Sequence, residues 1–158
     1  LGSVTKKVIM HTNRPTLIVK RVTSLTNLLV CVDGSDHSVK ALNYAGELAQ
    51  KMNSKITLLN VQERRLHDVS PTAAEELSNR IISKSLDALG KKKLKVDKKS
   101  QFGVPSNAIV EVAEKGNYDL IVLGSRGLGT IDRFLLGSVS DDVSHKTKRS
   151  DLIIPPKA

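Results

Sequence analysis

"NLLVCVDGSDHS", Asn27 to Ser38, is the stretch whose reading decides the fold. Leu28 to Val32 form a continuous apolar run without polar alternation, which marks a strand covered on both faces, and Asp33-Gly34-Ser35-Asp36 then ends it in a loop. Ser35 or Asp36 can cap a helix beginning at this point, because either side chain can accept from a free backbone N–H one turn on. Val39, Leu42, Ala45, Ala49 and Met52 then recur at three- and four-residue spacings, the apolar stripe of a helix.

The alternation continues outward from this unit. "KITLLNV", ending at Val61, reads as a second strand, and Ser70-Pro71 opens a long helix with Leu77, Ile81, Leu86 and Leu89 inward and Gly90 at its end. "LKVDKKSQFG" is a weaker third strand, its lysines suiting an exposed sheet edge. Pro105 starts another helix, with Ile109, Val112 and Ala113 inward and Gly116 at its close. "DLIVLG", Asp119 to Gly124, is the most apolar strand; Ser138 is placed to cap a last short helix, and "DLIIP" makes a final strand. Strands alternating with helices of this length pair in parallel through right-handed crossovers, so the fold class is α/β, an open parallel sheet with helices on both faces. Such sheets bind ligands at the carboxyl ends of their strands, where strand order reverses.

Composition narrows the function. The net charge of +9 is concentrated at the start: residues 1–26 hold five basic groups and no acid, against 20 basic and 16 acidic groups in the remainder. With two Phe, two Tyr and no Trp there is little on which unpaired bases can stack, which argues against a single-strand nucleic-acid binder. Cys31 has no partner, so no disulfide framework exists, and it reads as a core residue. His11, His37, His67 and His145 are scattered without metal-ligand spacing, and no metal site is expected. No apolar run nears the roughly 18 residues of a membrane span, and the expected location is cytoplasmic.

The segment "VLGSRGLGTIDRFLLGSVS", Val122 to Ser140, holds four of the ten glycines. Missing Cβ atoms permit left-handed backbone and close approach of a ligand, and the N–H groups of a helix start beyond them form a phosphate seat. It is neither a Walker loop, lacking lysine before the threonine, nor a dinucleotide fingerprint. Glycines that only turn the chain and admit close packing remain the alternative.

"GSRG", nine residues and "GS" match the Gly-x2-Gly-x9-Gly-Ser/Thr pattern of ATP-binding universal stress proteins through Gly124, Gly127, Gly137 and Ser138. The resemblance extends from Asn27 to about Ile154. It implies a five-stranded parallel sheet of order 3-2-1-4-5 in a three-layer nucleotide-binding sandwich, usually dimeric through the last strand. It also implies an ATP, ADP or AMP ligand, with or without Mg²⁺. By the same resemblance Asp33 lies near the adenosine and Val61 in the adenine pocket. Gly124 and Gly127 contact ribose and phosphate, and Ser138, Val139 and Ser140 hold phosphate at the helix start. Apart from the resemblance, Arg126 is a candidate phosphate neutraliser, with a solvent-facing side chain as the alternative. The implied role is regulatory, in stress response, with at most slow hydrolysis. The rival readings are a slow ATPase or phosphotransferase and an interaction module whose nucleotide site is empty.

The chain also repeats itself. "LGSVTKKVIMHTNRPTLIVK" from Leu1 aligns without gaps to "LGSVSDDVSHKTKRSDLIIP" from Leu136, identical at nine of twenty positions. Residues 1–23 therefore read as the last helix and strand of a preceding domain in a tandem pair, and residues 24–158 as the stress-protein domain. The apolar "TLIVK" is expected to dock beside the final strand, imitating a dimer partner, or else to replace that strand in a neighbouring chain.

Overall fold

The computed structural model describes residues 2–21, 24–90, 92–128 and 136–156. Its elements, in chain order, are α1 (Ser3–His11), β1 (Thr16–Ile18), β2 (Asn27–Cys31), α2 (Asp36–Met52), β3 (Lys55–Gln62), α3 (Arg64–Val69), α4 (Pro71–Leu89), β4 (Lys95–Phe102), α5 (Pro105–Lys115), β5 (Leu120–Gly124), α6 (Ser138–Lys146) and β6 (Ser150–Ile154).

The strands form one sheet of order β1-β6-β5-β2-β3-β4. This corrects the five-stranded, all-parallel expectation: β1 is a sixth strand, and it runs antiparallel to β6, whereas every other pairing is parallel. The cause is the repeated segment at the start of the chain, which β6 accepts as an extra edge strand; the strands from Asn27 onward keep to β4-β3-β2-β5-β6.

Strand periodicity sorts the core into two layers. Leu28, Val30, Ile56, Leu58, Leu120, Val122, Leu152 and Ile154 meet Ala41, Leu42, Ala45 and Ala49 of α2 and Ile82 and Leu89 of α4 on one face. Leu29, Leu59, Ile121, Leu123 and Ile153 meet Ile9 of α1, Ile109, Val112 and Ala113 of α5 and Val143 of α6 on the other. Both faces are thus covered by helices, and β5 and β6 are buried along their whole length.

Several local expectations shift. Ser35 is the cap of α2, accepting from Ser38 N–H, and Ser70 caps α4 by accepting from Ala73 N–H. The α4 core face is Ala74, Ser78, Ile82, Ser85 and Leu89, with Ile81 and Leu86 packed against the same layer, so that of the expected stripe only Leu77, 37% exposed, turns outward. Ser138 is not a cap: Gly137 holds that position without a side-chain bond, and Ser138 is the first helical residue. The short α3, between β3 and α4, has no signature in the sequence because six residues show no usable period.

Residues 2–18 fold as the repeat suggests. Helices α1 and α6 have equivalent bounds, caps at Gly2 and Gly137 with φ/ψ of −71°/157° and −61°/143°, and ends at Thr12 and Thr147 with −79°/143° and −72°/146°. Strand β1 lies beside β6 of the same chain.

Candidate functional site

Strand β2 is flanked by β3 and β5, whose connections leave it in opposite directions, so a crevice opens beyond the carboxyl ends of β2 and β5. The cleft there has a volume of about 350 Å³. Its wall contains all nine residues singled out from the sequence: Asp33, Val61, Gly124, Arg126, Gly127, Gly137, Ser138, Val139 and Ser140. They come from the end of β2, from β3, from the turn after β5 and from the start of α6.

Asp33 organises the floor. Its Oδ1 accepts from Ser35 N–H at 2.9 Å and from the Ser35 hydroxyl at 2.6 Å, and its Oδ2 accepts from Leu128 N–H at 3.2 Å. One carboxylate thereby ties the cap of α2 to the glycine-rich turn. Gly127 lies against it: a Cβ built on Gly127 would stand 2.7 Å from Asp33 Oδ2, too close for any carbon. At Gly124 an added Cβ would meet the backbone of His37 at 3.0 Å. Neither glycine is left-handed; among the described residues the glycines with positive φ are Gly34, Gly90 and Gly103. The expectation of left-handed backbone is therefore corrected at Gly124 and Gly127, where the need is space; Gly129 falls outside the described residues.

The far end of the turn is closed by hydrogen bonds. Gly137 N–H donates to Ser125 O at 2.8 Å, and Ser125 N–H donates to Ile154 O at 2.8 Å. The Ser140 hydroxyl donates to Gly124 O at 2.7 Å and is buried, so it locks the start of α6 onto β5. Ser138 is exposed on the cleft side. The first turn of a helix cannot satisfy its own donors within the helix, and Gly137 supplies no side-chain cap to the N–H groups of Ser138, Val139 and Ser140.

Sequence reasoning missed part of the wall. Cys31, read as core, is half-buried and lines the cleft, closed in enough that burial, with the Asp33 charge behind it, pushes the thiol pKa upward. Glu63, Leu128, Pro105 and Ile109 also line it. The last two come from α5, and no spacing in the chain announces that α5 leans over the β2 end. Among the described residues no three His, Cys, Asp or Glu side chains gather as a metal site, and no helix is long and apolar enough to cross a membrane.

A family model, the universal stress protein family, matches residues 25–155. The chain belongs to the universal stress protein family. A Staphylococcus aureus (strain USA300) protein that carries the family's name is 33% identical over 129 residues, spanning 74% of this chain and 76% of that one. Among solved structures, one described as a universal stress protein in complex with cAMP superposes with a TM-score of 0.68 at 28% identity, covering 84% of this chain and 98% of that chain. A universal stress protein from Archaeoglobus fulgidus superposes with a TM-score of 0.76 at 28% identity, covering 100% of this chain but 56% of that one. The family match begins after β1, so this member carries α1 and β1 outside the family domain.

Proposed function

We propose that this stress protein binds an adenine nucleotide, ATP or AMP, in the cleft at the β2/β5 switch point, in a regulatory role. The observation that carries the reading is the convergence of nine candidate residues from four separate segments on one cleft of about 350 Å³, within the size range of small-ligand sites. The cAMP complex of a relative supports nucleotide binding in the family.

The residues present fit such a ligand. Val61, Leu59 and Cys31 offer an apolar wall for a base, and Asp33 is an acceptor for ribose hydroxyls. The N–H groups at the start of α6, uncapped by any side chain at Gly137, suit phosphate, with the positive end of the helix dipole behind them. Arg126, also on the wall, would add a positive charge there. Hydrolysis is slow in this reading: both Asp33 oxygens already accept N–H or O–H bonds, and none of these bonds poises the carboxylate as a base for water.

One observation favours the rival, an interaction module with an empty site. Gly127 is required by Asp33 itself, so that glycine has a structural use without any ligand. Intact mass under non-denaturing conditions, repeated after denaturation, separates the two. An added mass matching ATP, ADP or AMP that is lost on denaturation is the expected result. No added mass, together with no thermal shift in millimolar ATP and Mg²⁺, overturns the proposal.

The reading of residues 1–23 as the closing helix and strand of a second stress-protein domain belongs with this proposal. Its support is the matched caps of α1 and α6 and the Archaeoglobus structure, whose chain is longer yet aligns with all of this one.

A further inference from the structure

The pairing of β1 with β6 is two-fold symmetric in sequence. In the repeat, each residue of the first twenty corresponds to the one 135 positions later. Thr16 pairs with Ile153, Ile18 with Asp151, and Leu17 with Leu152, its own repeat equivalent. A local dyad therefore runs through the Leu17–Leu152 pair and relates α1–β1 to α6–β6. Under that operation a second copy of this chain could offer its own α6–β6 in place of α1–β1.

At three positions near the dyad the two halves are chemically complementary instead of alike. Lys6 Nζ contacts Asp141 Oδ2 at 2.5 Å, and these two residues are repeat equivalents of opposite charge. Lys20 Nζ lies 3.0 Å from Asp151 Oδ1 and also donates to Ser144 O at 2.5 Å and Thr147 O at 3.2 Å. Asp151 is 0% exposed, and its other oxygen accepts from the Ser144 hydroxyl. The equivalent of Lys20 is Pro155, which has no charge to offer. Finally Ile9, 3% exposed in the core beside Val143 and Ile153, has the polar Ser144 as its equivalent.

We infer that the α6–β6 face is built for a basic counterpart of its own helix–strand unit, supplied here by α1–β1, and excludes a second copy of itself. Self-pairing about the same axis would set Asp141 against Asp141, bury Asp151 in each copy without an ammonium, and replace Ile9 by a hydroxyl. A buried carboxylate that has lost its partner, and like charges placed together, both oppose association. The extra segment thus acts as a specific plug on the β6 edge, and the inference does not depend on the nucleotide reading.

The test combines sedimentation equilibrium with amide hydrogen exchange on the full chain and its Lys6→Glu and Lys6→Glu/Asp141→Lys variants. The full chain is expected to be monomeric with β1 amides protected. Lys6→Glu should stay monomeric while α1 and β1 amides exchange at least about threefold faster, because a partly buried pair is lost and a like charge is set against Asp141. The double variant should recover slow exchange. Unchanged exchange in Lys6→Glu overturns the charge selection. A dimer whose β1 amides exchange freely, in the parent or in Lys6→Glu, overturns the exclusion of self-pairing.

Discussion

Gly127 and Asp33 act as one unit, because the missing methyl group of the first is the space that holds the second. Replacing Asp33 by Ala removes the acceptor for Ser35 and for Leu128 N–H and should cost about 1–2 kcal/mol of stability. Gly127→Ala should also destabilise the ligand-free protein, since its Cβ displaces the carboxylate. Once the carboxylate is gone the methyl group has room, so urea unfolding of the double variant should give a loss clearly smaller than the sum of the single losses. Strict additivity would mean that Gly127 serves something other than Asp33. The spacing of glycines is legible in the sequence, but their reason is not. The pattern suggests ligand approach and left-handed backbone, whereas the nearest obstacle is a side chain 94 positions earlier, which only folding brings within 2.7 Å.

At the scale of elements, β6 is unusual in carrying a buried aspartate in its second position. Asp151 is a poor strand former, and in sequence it marks the final strand as weak. The structure supplies the compensation: Lys20, just beyond β1, reaches across to Asp151 and to the last carbonyls of α6. Burial raises the Asp151 pKa above the ordinary value of 3.8, and the Ser144 hydroxyl and Lys20 oppose that rise only in part. A carboxyl whose folded-state pKa is raised stabilises the fold fully below its unfolded value, and that contribution is lost as pH rises through the folded value. Asp151→Asn removes this titration. Its urea midpoint, taken relative to that of the parent, should therefore rise with pH across the acid range and level off once the parent's Asp151 is ionised. A difference independent of pH would show that Asp151 titrates normally. The N-cap of α2, most of its stripe and the stripe of α5 are readable because they depend on neighbours within a turn, whereas Met52 at the end of the α2 stripe is 51% exposed. On α4 the expected stripe holds at Ile81, Leu86 and Leu89 and fails at Leu77, which is 37% exposed.

For the molecule as a whole, α1 lies outside the matched family domain yet contributes Ile9 to the same apolar layer as Leu29, Ile121 and Ile153. Ile9→Ala should then lower the stability of the entire chain by about 2–4 kcal/mol, seen as a shift of a single unfolding transition. A change confined to local exchange in α1, with the global midpoint unmoved, would make the segment peripheral. The α/β class and the location of the cleft were decided by sequence alone, through short continuous apolar runs, three- and four-residue helical spacing and the placement of glycine and proline. These signals are local and survive without knowledge of partners. The repeat likewise foretold a second helix and strand. Docking of that unit beside the final strand is one of two placements the sequence offers; only the tertiary structure decided for that placement over exchange with a neighbouring chain, made the strand antiparallel, and brought Lys6 and Lys20 to Asp141 and Asp151. Charge complementarity across a dyad is a relation between residues more than 130 positions apart: the repeat marks Lys6 and Asp141 as equivalents, but only the fold brings them, and Lys20 with Asp151, into contact.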